Sequence, residues 1–191
     1  VPVKVSLETE YPFRQDLTFR VSADRPAEGA LWLRIPAWAR GATLQLQDGE
    51  VRHPEPGSYA KIDRVWQGTA VIRLQLPAPP ELWHGYRQAI AIRRGPLVYA
   101  LKVGEDWRRI HEDAPYRELP HADWEICPTT PWAYALDIYE ATLEDDIVFD
   151  ERPVGDMPFS PEGAPLTATV RGRQMATWGL ENGSAEDVPR G

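Results

Sequence analysis

Cys127, in the run Trp124-Glu125-Ile126-Cys127, is the one cysteine of the chain. A thiolate nucleophile needs a base beside it or a field that lowers its pKa. The flanking sequence shows neither, and cysteine prefers burial, so packing is the plainer role. The histidines are His53, His84, His111 and His121. No two of them have the helical i, i+4 or hairpin spacing of zinc ligands. Glu144-Asp145-Asp146, with Asp150 and Glu151 beyond, is the densest carboxylate group. Calcium takes several oxygen ligands, but the ligand-x-ligand-x-ligand-Gly order of an EF-hand loop is missing. A solvated acidic turn fits the run better. Glycoside cleavage needs two carboxyl groups facing across roughly 5–10 Å. Many Asp and Glu pairs exist and none is singled out. We assign no catalytic residue, no metal ligand and no cofactor to this chain.

The aromatic residues are the remaining chemistry. There are eight Trp and seven Tyr. Trp32, Trp38, Trp66, Trp83 and Tyr86 are candidates for a sugar-stacking platform, and Trp32, Trp66 and Trp83 are the assigned carbohydrate-binding set. Aromatics at strand ends also close sandwich cores or pack on a neighbouring domain. Asn182-Gly183-Ser184 fits a glycosylation sequon, a pattern short enough to arise by chance. Gly95-Pro96 lacks the further glycines and the lysine of a phosphate loop. Its meaning is local: Gly permits unusual φ, while Pro fixes φ and removes a donor. That makes a bend between two apolar strands, Ile90–Arg94 and Leu97–Leu101.

The elements that would position these residues read as strands. Val3–Leu7, Leu17–Val21, Leu31–Ile35, Thr43–Gln47, Tyr59–Arg64 and Ala70–Leu76 alternate apolar and polar, the period of a half-buried strand. Asp24-Arg25-Pro26, Asp48-Gly49 and Gln67-Gly68 are turn signals between them. Short strands at this spacing indicate an antiparallel sandwich or barrel. Past Leu101 the pattern weakens. Residues 107–131 read as irregular loop. Trp132–Ile138 and Ile147–Phe149 read as strands, Leu166–Val170 and Gln174–Trp178 as a hairpin around Arg171-Gly172-Arg173, and residues 181–191 as a polar tail. With 19 Pro and 14 Gly, many turns are expected and long helices are not.

Charge narrows the partners. The net charge of −8 disfavours nucleic acid and anionic membrane. Residues 1–104 hold 14 Lys and Arg against 10 Asp and Glu, a net of +4; residues 105–191 hold 7 against 19, a net of −12. That step sets an expected boundary near Gly104. No apolar run reaches the length of a membrane span. The single Cys excludes an internal disulfide and fits a reducing, cytoplasmic compartment. The start at Val1-Pro2-Val3, inside a strand-like run and without a leader pattern, reads as a piece of something longer.

Several motifs are familiar in combination. Leu33-Arg34-Ile35-Pro36-Ala37-Trp38 resembles an "LRIPxW" signature. Residues 57–66, from Gly57-Ser58-Tyr59 to Arg64-Val65-Trp66, resemble "GxYxxIxRxW". Ala91–Tyr99 resembles "AIxRGPLVY". Trp124-Glu125-Ile126, Pro131–Leu136 and Leu180–Ala185 continue in the same order. Together they resemble the C-terminal part of the β-L-arabinofuranosidases, glycoside hydrolase family 127. The resemblance implies a parent enzyme whose N-terminal (α/α) barrel carries catalysis, with a cysteine nucleophile and a zinc held by cysteines and a glutamate. β-Sandwich domains follow that barrel. No catalytic or metal residue of that pattern falls on a position here, so zinc is expected only in the barrel.

The expectation is an all-β chain: an antiparallel β-sandwich over residues 1–104, then a second, less regular β-rich domain with long loops over 105–191. Its expected role is that of a non-catalytic accessory region of a bacterial arabinofuranosidase-like hydrolase, supporting that protein's own catalytic barrel and contributing to a homodimer. The alternative is a carbohydrate-binding module using exposed Trp and Tyr. An enzyme in its own right is the third reading.

Overall fold

The computed structural model describes residues 1–189; the last two positions of the expected polar tail lie outside the described residues. The chain is all-β and antiparallel. Its strands are β1 (Lys4–Thr9), β2 (Asp16–Arg34), β3 (Thr43–Leu46), β4 (Val51–Arg52), β5 (Tyr59–Gln75), β6 (Pro80–His84), β7 (Ile90–Arg94), β8 (Leu97–Val98), β9 (Glu105–Ile110), β10 (Asp123–Pro128), β11 (Tyr134–Leu136), β12 (Val148–Glu151), β13 (Leu166–Thr169), β14 (Gly172–Gln174), β15 (Leu180–Glu181) and β16 (Ser184–Ala185). One turn of helix, α1 (Leu143–Asp146), precedes β12. The chain divides into two compact units. The first takes residues 1–82, 92–98 and 149–167; the second takes 83–91, 99–148 and the remainder.

The first unit is built on a five-stranded sheet in the order β1-β2-β5-β3-β4. The turn signals at Asp24-Arg25-Pro26 and Gln67-Gly68 do not end strands. The chain runs through both, giving a 19-residue β2 and a 17-residue β5. The register is regular from Asp16↔Gln75 to Ala23↔Gly68 and again from Ala27↔Trp66 to Arg34↔Tyr59. Between them, residues 24–26 stand against Gln67 alone, and Gly68 adopts φ +67°. The turn-type residues here make a bulge, which inserts residues without breaking the pairing. Inward side chains from both sides of the bulge share one core. It contains Leu17, Val21, Leu33, Ile62, Trp66 and Ile72, with Leu44 and Leu46 from β3. Ile35, Leu44, Ile62 and Ile72 are among its fully buried side chains. Each such side chain contributes about 1.5–3 kcal/mol of transfer free energy.

β7 and β8 form a tight hairpin with Arg94↔Leu97 in register, so Gly95-Pro96 is a two-residue turn. Gly95 has φ +59°, and a Cβ there would stand 3.0 Å from the Ala78 methyl and 3.2 Å from the Trp38 ring. Positive φ and close approach together require glycine. Arg94 joins three segments of this unit. Its Nε donates to the Ala78 oxygen, its Nη1 lies 3.1 Å from Glu151, and its guanidinium stands 4.9 Å from the Phe149 ring centroid. Arg14 adds a bond from Nη2 to the Arg152 oxygen, and Phe13 meets Phe159 at 5.1 Å.

In the second unit, residues 107–131 are not an irregular loop. β9 and β10 pair over six residues each, from Glu105↔Pro128 to Ile110↔Asp123. Six of these twelve residues are charged, and no clean alternation marks β9. The hairpin is held by cross-strand contacts instead, chiefly Trp107 against Trp124 at 6.0 Å, edge on. The expected hairpin around Arg171-Gly172-Arg173 does not form either. β13 pairs with β12, and β14 pairs with β11. The fragment is closed by Trp132 against Trp178 at 5.2 Å and by the Met175 amide on the Ala133 oxygen. Within the stretch read as a tail, β15 and β16 form a small hairpin. Asn182 and Gly183 both have positive φ there, as an Asn-Gly turn allows.

Candidate functional site

The assigned rings go to three different environments. Alternation along β2 puts Leu31 and Leu33 on the core side and Trp32 on the outer side, 57% exposed. Trp32 stands opposite Lys61, whose Nζ lies 5.6 Å from the ring centroid. Lys61 also pairs with Asp63 at 2.5 Å. Tyr59 is the diagonal neighbour of Trp32 on the same face, because Tyr59 opposes Arg34. It is 61% exposed, and Val65, further along that face, is 51% exposed. The result is a flat apolar and aromatic patch on a sheet, with one ammonium and one carboxylate beside it. Diagonal neighbours at this spacing reach each other when one is aromatic. Tyr59 was not in the assigned set, although its alternation with Ala60 and Ile62 already placed it outward.

Trp66 faces the other way. It is 4% exposed, inside the core, and its Nε1 donates to the Gly29 oxygen at 2.9 Å. No ring face is left for a sugar, so Trp66 leaves the carbohydrate set. It has the inward parity of Ala60 and Ile62 along β5, so alternation turns it inward. Trp83 belongs to the second unit and is 52% exposed. Its ring lies so close over Gly85 that a Cβ there would be 2.7 Å from it. Tyr86, in the same unit, is 71% exposed.

The other chemistry-bearing residues serve local structure. Cys127 is half-buried in β10, opposite Asp106. His84 meets Glu140 at 2.9 Å, and His111 meets Asp123 at 3.1 Å. In the acidic run Asp146 accepts from the Thr142 hydroxyl at 2.7 Å, with the Tyr139 amide and Arg171 also in reach. The Thr142 hydrogen bond, then those two partners, hold its carboxyl below the usual range against the opposing effect of desolvation. Among the described residues no three His, Cys, Asp or Glu are grouped for a metal.

A shallow cavity of about 160 Å3 opens on the outer side of β2, β5 and β3, with Asp16, Thr18, Thr43, Gln45, Arg73 and Gln75 around it. Arg73 opposes both Thr18 and Gln45 across the strands. The lining is hydrogen-bonding in character.

An antiparallel all-β chain with outward aromatics is the class that the structure defines. Residues 2–78 match the model of the β-L-arabinofuranosidase GH127 middle domain. The match bears out the resemblance carried by the motifs in that stretch: residues 2–78 are similar to a GH127 middle domain. Among solved structures, a GH127 β-L-arabinofuranosidase from Geobacillus stearothermophilus is similar at 24% identity over 66% of this chain and 27% of that one, with a TM-score of 0.46. The GH127 β-arabinofuranosidase BT3674 is similar at 19% identity over 73% of this chain and 26% of that one, with a TM-score of 0.45. A glycoside hydrolase matches at 25% identity over 50% of this chain and 17% of that one, with a TM-score of 0.45. The chain thus spans about a quarter or less of the length of these relatives. The comparison with curated proteins gives no match. No helix among the described residues is long and apolar enough to cross a membrane.

Proposed function

We propose that this chain is a non-catalytic accessory region of a β-L-arabinofuranosidase-like hydrolase, and that its work is to pack against the catalytic barrel of that longer protein and to supply a dimer contact. The family match supports the setting. The observation that carries the packing role is the outer face of β2 and β5, where Trp32, Tyr59 and Val65 are each more than half exposed. Apolar groups clustered on a polar face mark a surface that is covered in the complete assembly. The zinc of such a hydrolase belongs to the barrel in this reading.

The test compares Trp32→Ala in this chain and in a longer protein that includes the barrel. The expected result is a lowered melting temperature in the long form and little change in the short one. Equal, small effects in both would overturn the packing role.

A second reading is favoured by one arrangement, the Trp32 ring with Tyr59 diagonal to it and Lys61 and Asp63 alongside. A sugar ring stacks its C–H face on an indole while its hydroxyls bond to such charged groups. Trp83 would be a separate stacking ring. Calorimetric titration of L-arabinofuranose oligosaccharides decides. Saturable heat that Trp32→Ala abolishes makes the chain a binding module, and no heat removes that reading.

A further inference from the structure

One end of the five-stranded sheet carries on its outer face a block of polar side chains that the fold itself does not use. The row between them is set first. Leu17, Leu74 and Leu44 stand in register across β2, β5 and β3, and all three are buried. Alternation then turns the flanking rows outward. One row is Thr18, Arg73 and Gln45; the other is Asp16, Gln75 and Thr43. These six surround the shallow cavity of about 160 Å3. Rows two residues apart on strands about 4.8 Å apart make a block of about 7 by 10 Å. That footprint suits a single ring-sized ligand. Side chains on strands whose other side is packed are also held more precisely than side chains on loops.

Among the described residues none of the six side chains makes a hydrogen bond or an ion pair. Arginines on nearby strands differ: Arg20 of β2 is held by Glu8, and Arg52 of β4 by Glu50. Arg73 stands between Thr18 and Gln45, which bring it no charge. Asp16 lies diagonal to it, about 7–8 Å away by sheet geometry, and no ion pair closes between them. The cavity therefore presents a guanidinium fork in one row, a carboxylate in the other, and four neutral groups that both donate and accept.

We propose that this cavity binds one uronic acid unit, with its carboxylate on Arg73 and its ring hydroxyls on Asp16 and the four neutral side chains. A guanidinium matches a carboxylate bidentately, through charge-assisted bonds roughly twice as strong as neutral ones. Ionised Asp16 only accepts, so it takes hydroxyl donors and repels a second anionic group. A ligand with one acidic end and several hydroxyls meets both demands. No aromatic ring lines the cavity among the described residues, so recognition here rests on hydrogen bonds and not on stacking. The site is distinct from the Trp32 patch, which lies past the bulge on the same two strands.

The test follows the NMR signals of backbone amides and arginine side chains in the 191-residue chain during titration with D-galacturonate, D-galactose or acetate. D-Galactose keeps the ring and loses the carboxylate, and acetate does the reverse. Galacturonate is expected to saturate in the millimolar range, with the other two at least about tenfold weaker. Arg73→Gln is expected to weaken galacturonate binding by about tenfold or more without moving the melting temperature. Arg20→Gln, on the same face but engaged with Glu8, is expected to leave the affinity unchanged. Failure of galacturonate to saturate overturns the proposal. So does equal affinity for galactose or for acetate, or an affinity indifferent to Arg73→Gln. The packing role of Trp32 stands or falls separately, because its test changes no residue of this cavity.

Discussion

The indole N–H of Trp66 donates to the backbone oxygen of Gly29, 2.9 Å away and 37 residues earlier in the chain. That bond ties β5 to β2 one pair beyond the bulge, where the register has just been reset. Trp66→Phe keeps most of the ring but loses the bond to the exposed Gly29 oxygen, at a cost of about 0.5–1.5 kcal/mol. Trp66→Ala also opens a cavity and is expected to cost about 3–5 kcal/mol. Urea midpoints measure both. A change of only a few tenths for Trp66→Ala would contradict the burial.

Gly95→Ala is expected to destabilise by about 1–3 kcal/mol, because it forces a side chain into a positive-φ position. The contacts with Ala78 and Trp38 add to it. Gly29→Ala is the control. Nothing stands within 4 Å of a Cβ there, so the change should stay within about 0.5 kcal/mol. Thermal melts of the pair give the contrast, and equal effects would refute the turn geometry.

Asp146 has a depressed pKa in the folded state, so it contributes stability above its unfolded value near ~3.9 and loses it as pH falls through the folded value. Thr142→Val removes the largest cause. The Asp146 carboxyl should then titrate at higher pH, and the variant should be less stable than the wild type above about pH 4, the difference closing as pH falls through the folded value. Carboxyl 13C shifts report the titration site by site. An unmoved Asp146 titration would reassign the depression to Tyr139 and Arg171.

The β9–β10 hairpin depends on Trp107 and Trp124. A double-mutant cycle to Ala at both positions should return a coupling of about 0.5–1.5 kcal/mol beyond the area lost. Far-ultraviolet circular dichroism should lose the indole exciton couplet of this pair in either single variant. Additive single effects would mean that the rings stand side by side without interacting.

Much of the first unit was legible because it obeys one simple rule. Leu31, Leu33, Ile62, Leu44, Leu46, Ile72 and Leu74 lie where alternation puts them. The bulge was hidden because Asp24-Arg25-Pro26 and Gln67-Gly68 have turn chemistry, and a bulge uses the same residues. Only the partner strand tells the two apart. The same rule misled at β1, where alternation implied a half-buried strand and the edge position left it open. In the second unit the rule reached β11, within Trp132–Ile138, and little else. β9 is charged on both faces, and Asn182-Gly183 drew notice as a sequon when its two positive φ values make it a turn. Of the aromatic set, type alone selected Trp32, Trp66 and Trp83. Burial then removed Trp66, and register supplied Tyr59.

The pairing of β2 with β5 has a kinetic side. Arg34 and Tyr59 are 25 residues apart, while Asp16 and Gln75 are 59 apart. Closing the longer loop costs only about 0.8 kcal/mol more by chain statistics. β3, however, reaches the same stretch of β5 from nearer, through Thr43↔Gln75 and Leu46↔Ile72. Chain statistics therefore favour β3 over the far end of β2 as the first partner of this stretch of β5, by about 0.5 kcal/mol.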